Sequence, residues 1–181
     1  SSPASKNACL ASKGRAESLC LDAAMPACVL RVPMVLGEGD YASFALAARA
    51  RKRLSFTFRA DSQEQPIYAG DVVTAIIAAG SDKVAGALDL GGPEVLTRRA
   101  LTQRAAAVLG ETATVVSLPL SLGFVMARML TALTANPPFT RAMLEVLDHD
   151  DAVAPAHAMG VLHMQALTSL DDMLAAVLAD G

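Results

Sequence analysis

Hydrophobic and polar positions along this chain follow two rhythms. Over 8–24 they recur at three and four residues: Leu10, Lys13, Gly14 and Glu17 share helical spacing, which predicts an amphipathic helix centred on Cys9 to Glu17. The next run, Ala27-Cys28-Val29-Leu30-Arg31-Val32, is short and apolar with β-branched residues, as in a buried strand. Gly37-Glu38-Gly39-Asp40 must then be a turn, because two glycines in three residues permit positive φ. A helix over 42–51 follows. Leu54-Ser55-Phe56-Thr57-Phe58-Arg59 alternates apolar with polar and reads as a half-exposed strand.

The same alternation of elements continues. Residues 65–69 form a short strand, and Asp71 sits where an N-cap would start a helix over 72–79, a bond worth about 1 kcal/mol. Ala87-Leu88-Asp89-Leu90 is another strand, closed by a turn at Gly91-Gly92-Pro93. Thr97 caps a helix that stops at Leu109-Gly110, where glycine suits the C-terminal position. Thr114 to Ser117 is a brief strand, and Pro119 opens a long apolar helix. From Asn136 the pattern is helical, with breaks at Pro155 and Gly160. Thr168-Ser169-Leu170-Asp171 resembles a capping box, and Leu170, Met173, Leu174, Val177 and Leu178 make a last amphipathic helix. Strands alternating with helices predict an α/β fold whose last third is mostly helical.

Composition narrows the function. With 53% hydrophobic but only 4% aromatic residues, the core of this 181-residue chain must be aliphatic. A net charge of −3 supplies no field for nucleic acid, and the basic cluster Arg49, Arg51, Lys52 and Arg53 reads as solvated surface. Cys9, Cys20 and Cys28 lack metal-ligand spacing and suggest neither zinc nor a disulfide framework, which fits a reducing compartment. His149, His157 and His163 are too scattered for a metal site. Ser117 to Ala135 has about the length of a membrane span, but Arg128 near its middle and Pro119 at its start favour a buried helix instead. The polar Ser1-Ser2-Pro3 start is not a signal peptide.

Several stretches, in order, resemble the second half of an extended or atypical short-chain dehydrogenase/reductase. They are Ser12-Lys13 with Glu17, then Leu30 to Gly37, then Pro66-Ile67-Tyr68-Ala69-Gly70-Asp71-Val72-Val73-Thr74-Ala75-Ile76, then Leu88 to Thr97. Asn136-Pro137-Pro138-Phe139-Thr140, Leu147-Asp148-His149-Asp150 and Leu167-Thr168-Ser169-Leu170 are similar to the NAD(P)-binding accessory subunit of respiratory complex I and its bacterial relatives. The resemblance implies the C-terminal part of a Rossmann-type parallel sheet over 1–112 with interleaved substrate-side segments, and a small, mostly helical substrate-side subdomain over 113–181. It implies NADP or NAD as cofactor, and protein subunits of a respiratory complex as partners. The location would be cytoplasmic in a bacterium, or the matrix side of a mitochondrion. The Gly-rich turn that cradles the pyrophosphate, G-x-x-G-x-x-G, is missing, so the chain reads as the C-terminal portion of a longer protein. The residues that discriminate NAD from NADP belong to that missing half.

The resemblance also assigns a site. In the family a Tyr phenol transfers a proton, and a Lys four residues later bonds the ribose. Lys13 holds the Lys position, while Cys9 holds that of the Tyr. A thiol is a chemically competent acid, yet its side chain is far shorter than that of Tyr, and Cys9 otherwise reads as a small core residue. Tyr41 and Tyr68 belong to other motifs. Ser1 or Ser2 falls near the family's catalytic Ser, and reads otherwise as loop. After Leu30-Arg31 the family runs Pro and then a small residue beside the nicotinamide; here Val32 precedes Pro33, with Val35 able to line the ring. Arg31 reads as a structural ion-pair partner. Two functions follow: an NAD(P)-binding protein with catalysis lost, or an NAD(P)-dependent reductase or epimerase that uses another acid. A third, an association module, follows from the sheet edge that an incomplete domain exposes.

Overall fold

The computed structural model describes residues 4–5, 7–134, 144–145 and 152–179. The Ser1 and Ser2 positions, the Asn136 to Thr140 stretch and the Leu147 to Asp150 stretch, with His149, lie outside them. In chain order the elements are α1 (Ala8–Leu21), β1 (Cys28–Arg31), β2 (Val35–Leu36), α2 (Tyr41–Ala50), β3 (Leu54–Phe58), β4 (Gln63–Glu64), β5 (Ile67–Tyr68) and α3 (Ala69–Ser81). There follow β6 (Gly86–Asp89), β7 (Leu96–Thr97), α4 (Arg98–Val108), β8 (Thr114–Leu118), α5 (Leu120–Leu133), α6 (Ala156–Val161) and α7 (Leu170–Leu178).

Three strand pairs are parallel, β1 with β6, β2 with β5 and β3 with β8, and β4 with β7 is antiparallel. Parallel pairing requires crossovers, and helices supply them. Along β1 successive side chains alternate between two helical layers. Arg31 meets α1 through Glu17, while Cys28, Leu30 and Val32 turn toward α3. The fold is therefore α/β with parallel strands, as expected.

Two aliphatic cores hold these layers. One joins Leu36, Leu46, Leu101, Met173 and Leu174 between α2, α4 and α7; the other joins Ile67, Ala75, Leu88, Leu90, Ala158 and Leu162 between α3, the strands and α6. All five apolar positions expected on the last helix are buried. Local chemistry sets several helix ends. Asp40 Oδ1 accepts from Ser43 N at 2.7 Å, Thr97 Oγ1 from Ala100 N at 3.1 Å and Ser169 Oγ from Asp172 N at 3.2 Å. Gly110 ends α4 at φ 72°, and paired bonds from Gly110 N to Ala107 O (3.0 Å) and Glu111 N to Ala106 O (2.8 Å) close a Schellman motif.

Four expectations need correcting. Asp71 is not an N-cap: α3 starts two residues earlier with Tyr68 at the cap, and the Asp71 carboxylate instead accepts Thr168 N at 2.9 Å and Thr168 Oγ1 at 3.0 Å. The α1 helix hides only Ala11 and Gly14 and leaves Leu19 75% exposed, so its contact face is made of small residues. The apolar α5 is not buried among the described residues, with Val125, Met129 and Leu133 exposed, and no described helix is long and apolar enough to cross a membrane. Of the basic cluster, Arg49 is half-buried rather than solvated.

Candidate functional site

The helix that carries Lys13 is built from its cap upward. Asn7 Oδ1 accepts from Cys9 N at 2.9 Å and Leu10 N at 3.2 Å, which satisfies two of the free amides at the start of α1, and Asn7 Nδ2 donates to Glu145 Oε2 at 3.2 Å. At the other end the chain reverses into β1, so α1 and β1 run in opposite directions. Arg31 at the end of β1 grips Glu17: Nε donates to Oε2 at 3.1 Å, Nη2 donates to Oε1, and Nη1 reaches Asp89 of β6 at 3.4 Å. The guanidinium bond holds the Glu17 carboxyl below the usual carboxylate range, and Glu17 in turn pushes the Arg31 pKa up. Arg31 is thus the structural ion-pair partner that its position implied.

This pair fixes where Lys13 and Cys9 stand. Lys13 is one turn before Glu17, about 5–6 Å further along the axis. Because Glu17 is level with the carboxyl end of β1, Lys13 lies beyond that end, and Cys9 one turn further. Ligands of open α/β sheets bind outside those ends. Both side chains are exposed, which corrects the reading of Cys9 as a core residue. Val32, Pro33 and Val35 are half-buried in the segment that follows β1, a different element from α1. Val32 lines a groove, and Val35 pairs with Ile67 in β5.

That groove, about 660 Å³, runs between β1 (Cys28, Leu30, Val32) and α3 (Val72, Ile76, Ala79), with Lys83 at its end. A ligand cleft needs several convergent polar groups, and the side chains lining this groove are apolar apart from Lys83 and the Cys28 thiol. Burial there raises the Cys28 thiol pKa.

One loop does have the order of a phosphate-binding turn. Gly37-Glu38-Gly39-Asp40-Tyr41-Ala42 stands between β2 and α2, matching G-x-G-x-x-A. Two amides here are already taken, because Asp40 Oδ2 accepts Gly37 N and Asp40 Oδ1 accepts Ser43 N, so a carboxylate of the chain itself caps the helix start. The Tyr68 hydroxyl, for its part, donates to Glu38, which raises the phenol's pKa and makes it a poorer acid.

Sequence reasoning missed the clamp beside this region. Gln65 Nε2 donates to Gly92 O at 2.8 Å and Val153 O at 3.0 Å, while its Oε1 accepts Val153 N at 2.7 Å. A single side-chain amide thereby ties the loop after β6 and the segment before α6 to the entrance of β5. Gly91 and Gly92 are glycines for closeness: a Cβ on Gly92 would lie 1.7 Å from Pro66 O, and one on Gly91 2.5 Å from Gln65 Nε2. The Gln65-Pro66 motif and the Gly pair were visible in sequence, but not that they meet.

No family model matches the sequence, and no curated protein matches it. Solved structures do match its shape. RMD from Pseudomonas aeruginosa, complexed with NADPH, aligns at a TM-score of 0.66 and 16% identity over 94% of this chain and 54% of its own. The human epimerase family protein SDR39U1 with NADPH gives 0.64, 19%, 95% and 55%. UDP-glucuronic acid 4-epimerase from Bacillus cereus, with UDP-glucuronic acid and NAD, gives 0.63, 17%, 94% and 49%. At these identities the likeness establishes the fold, a Rossmann-type one found in structures with NADPH or NAD bound. The chain spans about half the length of these structures, in keeping with the C-terminal half the motifs imply.

Proposed function

We propose that this chain forms the C-terminal part of an NAD(P)-binding protein of the short-chain dehydrogenase type, with Lys13 at the cofactor's ribose and the usual Tyr-dependent proton transfer lost. The observation that carries it is the Glu17–Arg31 anchor, which sets Lys13 in the open beyond the carboxyl end of β1 while Cys9 occupies the acid's turn of the same helix. Lys13 suits the ribose of a dinucleotide, as an exposed ammonium able to bond hydroxyls, while Val32 and Val35 pack against the core beneath α3. A bound NAD(P)H would supply the hydride. What the chain itself contributes is Lys13 as donor to the ribose and a short thiol where a phenol would reach the substrate oxygen. Under this reading the exposed Leu19 and Leu21 at the end of α1, and Met25 just after it, take protein partners, as an accessory subunit of a respiratory complex would.

Titration calorimetry with NADPH and NADH on the complete protein tests it. Binding that weakens about tenfold or more in Lys13→Ala, with no turnover on carbonyl, sugar-nucleotide or quinone substrates, is the expected result; absence of binding, or turnover, refutes it. The exposure of Cys9 favours one second reading, an enzyme in which this thiol is the acid. Turnover that disappears in Cys9→Ala would establish that reading.

A further inference from the structure

The strand β1 is open along one side. The carbonyls of Ala27 and Arg31 accept from Gly86 N and Leu90 N, each at 2.9 Å, so Ala27, Val29 and Arg31 turn their backbone groups toward β6. By alternation the N–H and C=O of Cys28 and Leu30 point the other way, and no described residue pairs with them. Helices cover both faces of the strand, α1 through Glu17 and Arg31 and α3 through Ala75 and Ala79, yet Cys28, Val29 and Leu30 stay only half-buried. Parallel strands between two helical layers are normally buried on both faces, and this one reads in sequence as such a strand. What it lacks is a neighbour in the plane of the sheet.

Exposed edges are commonly blunted by charge, proline or a bulge. Cys28-Val29-Leu30 carries none of these: Pro26 and Pro33 stand outside it, and Arg31 is bonded to Glu17 and Asp89. The apolar groove beneath α3 lies on the same open side, since no residue of β6 lines it, and Ile76 on its wall is 57% exposed. We propose that this edge seats a parallel strand from the other half of a Rossmann-type domain, and that an apolar helix of that half fills the groove. The occupant lies outside these 181 residues, because the chain spans about half the length of the structures whose fold it shares. Its strand carries apolar residues on both faces, to meet the layers of α1 and α3, and its helix presents aliphatic side chains to Leu30, Val72 and Ile76. The inference rests on the reading of this chain as the C-terminal part of an NAD(P)-binding protein and assigns that reading its interface.

Residue-resolved amide exchange on the complete protein tests this, with Val29 and Arg31, already paired with β6, as internal references. With the edge seated, Cys28 and Leu30 should exchange within about tenfold of those references; on an open edge they exchange about a hundredfold faster or more, which overturns the proposal. Protection that fades on dilution places a second copy on the edge and also overturns it. Ile76→Glu reads the groove: it should lower the Tm of the complete protein by roughly 5 °C or more, and an unchanged Tm overturns the helix's place there. Binding of NADPH or NADH by a protein whose edge is open would leave the cofactor reading standing and sink this one. A protected edge without cofactor binding does the reverse.

Discussion

Replacing Glu64 with leucine removes the carboxylate to which Arg98 is bonded inside the protein. The two side chains are only 9% (Arg98) and 4% (Glu64) exposed, and two of the three bonds made by Arg98 go to Glu64. Breaking a buried pair from one side costs about 3–5 kcal/mol, because the remaining charge stays desolvated. Arg49 places this case toward the upper part of that range, since its charge would then face Arg98 with no anion between them. About 4 kcal/mol corresponds to a fall in Tm of roughly 10–15 °C for a chain of this size. Urea unfolding of Glu64→Leu, Arg98→Met and the double variant forms the required cycle. Each single change should cost several kcal/mol, and the double change should return to within about 1–2 kcal/mol of the original, because an apolar pair carries no desolvated charge. Adding Arg49→Met to Glu64→Leu should recover part of the loss for the same reason. A single variant costing under about 1 kcal/mol, or a double variant equal to the sum of the singles, would refute the reasoning.

Other outcomes follow from the same geometry. Gly92→Ala should cost about 3 kcal/mol, since its Cβ would strike Pro66 O, whereas Gly110→Ala, with open space but φ at 72°, should cost about 1 kcal/mol; denaturant midpoints distinguish the two. Asp71→Ala loses both bonds to Thr168, so it should destabilise by about 1–3 kcal/mol and speed proteolysis ahead of α7. Of the three thiols, exposed Cys9 and Cys20 should react quickly with a disulfide reagent and Cys28, raised in pKa by burial, slowly; three equal rates would contradict the placement of β1. Bonds from Arg31, Arg99 and Arg104 hold the carboxyls of Glu17, Asp61 and Asp171 below their ordinary values. A depressed folded pKa gives stability that is complete above the unfolded value, about 4, and fades as pH falls through the folded one. Urea unfolding at pH 5 and pH 3 should show that loss, and Asp171→Asn should make it shallower.

Much of the fold was legible because its causes are local. Thr97, Ser169 and Gly110 mark helix ends by chemistry that acts within three or four residues, and the three-four spacing of Leu170, Met173, Leu174, Val177 and Leu178 names a buried face whatever lies against it. Asp71 shows the limit of that logic. A carboxylate near a helix start looks like a cap from the sequence, but Thr168, ninety-seven residues away, competes for it and wins. The site divides along the same line. The spacing of Cys9 and Lys13 on one helix was evident, yet that both are exposed depends on what covers α1.

By itself, then, the sequence determined the alternation of strands and helices, several of the helix ends, the aliphatic core and the one-turn separation of Cys9 from Lys13, since each depends on neighbours within a turn or two. Only the tertiary structure decided which charges are buried and with whom. Glu64 and Arg98 are thirty-four residues apart, Gln65 and Val153 eighty-eight, and Arg49 differs from its basic neighbours in nothing a sequence shows. Burial and partnership are properties of the packed chain, because desolvation depends on every element that closes over a group and not on the residues beside it.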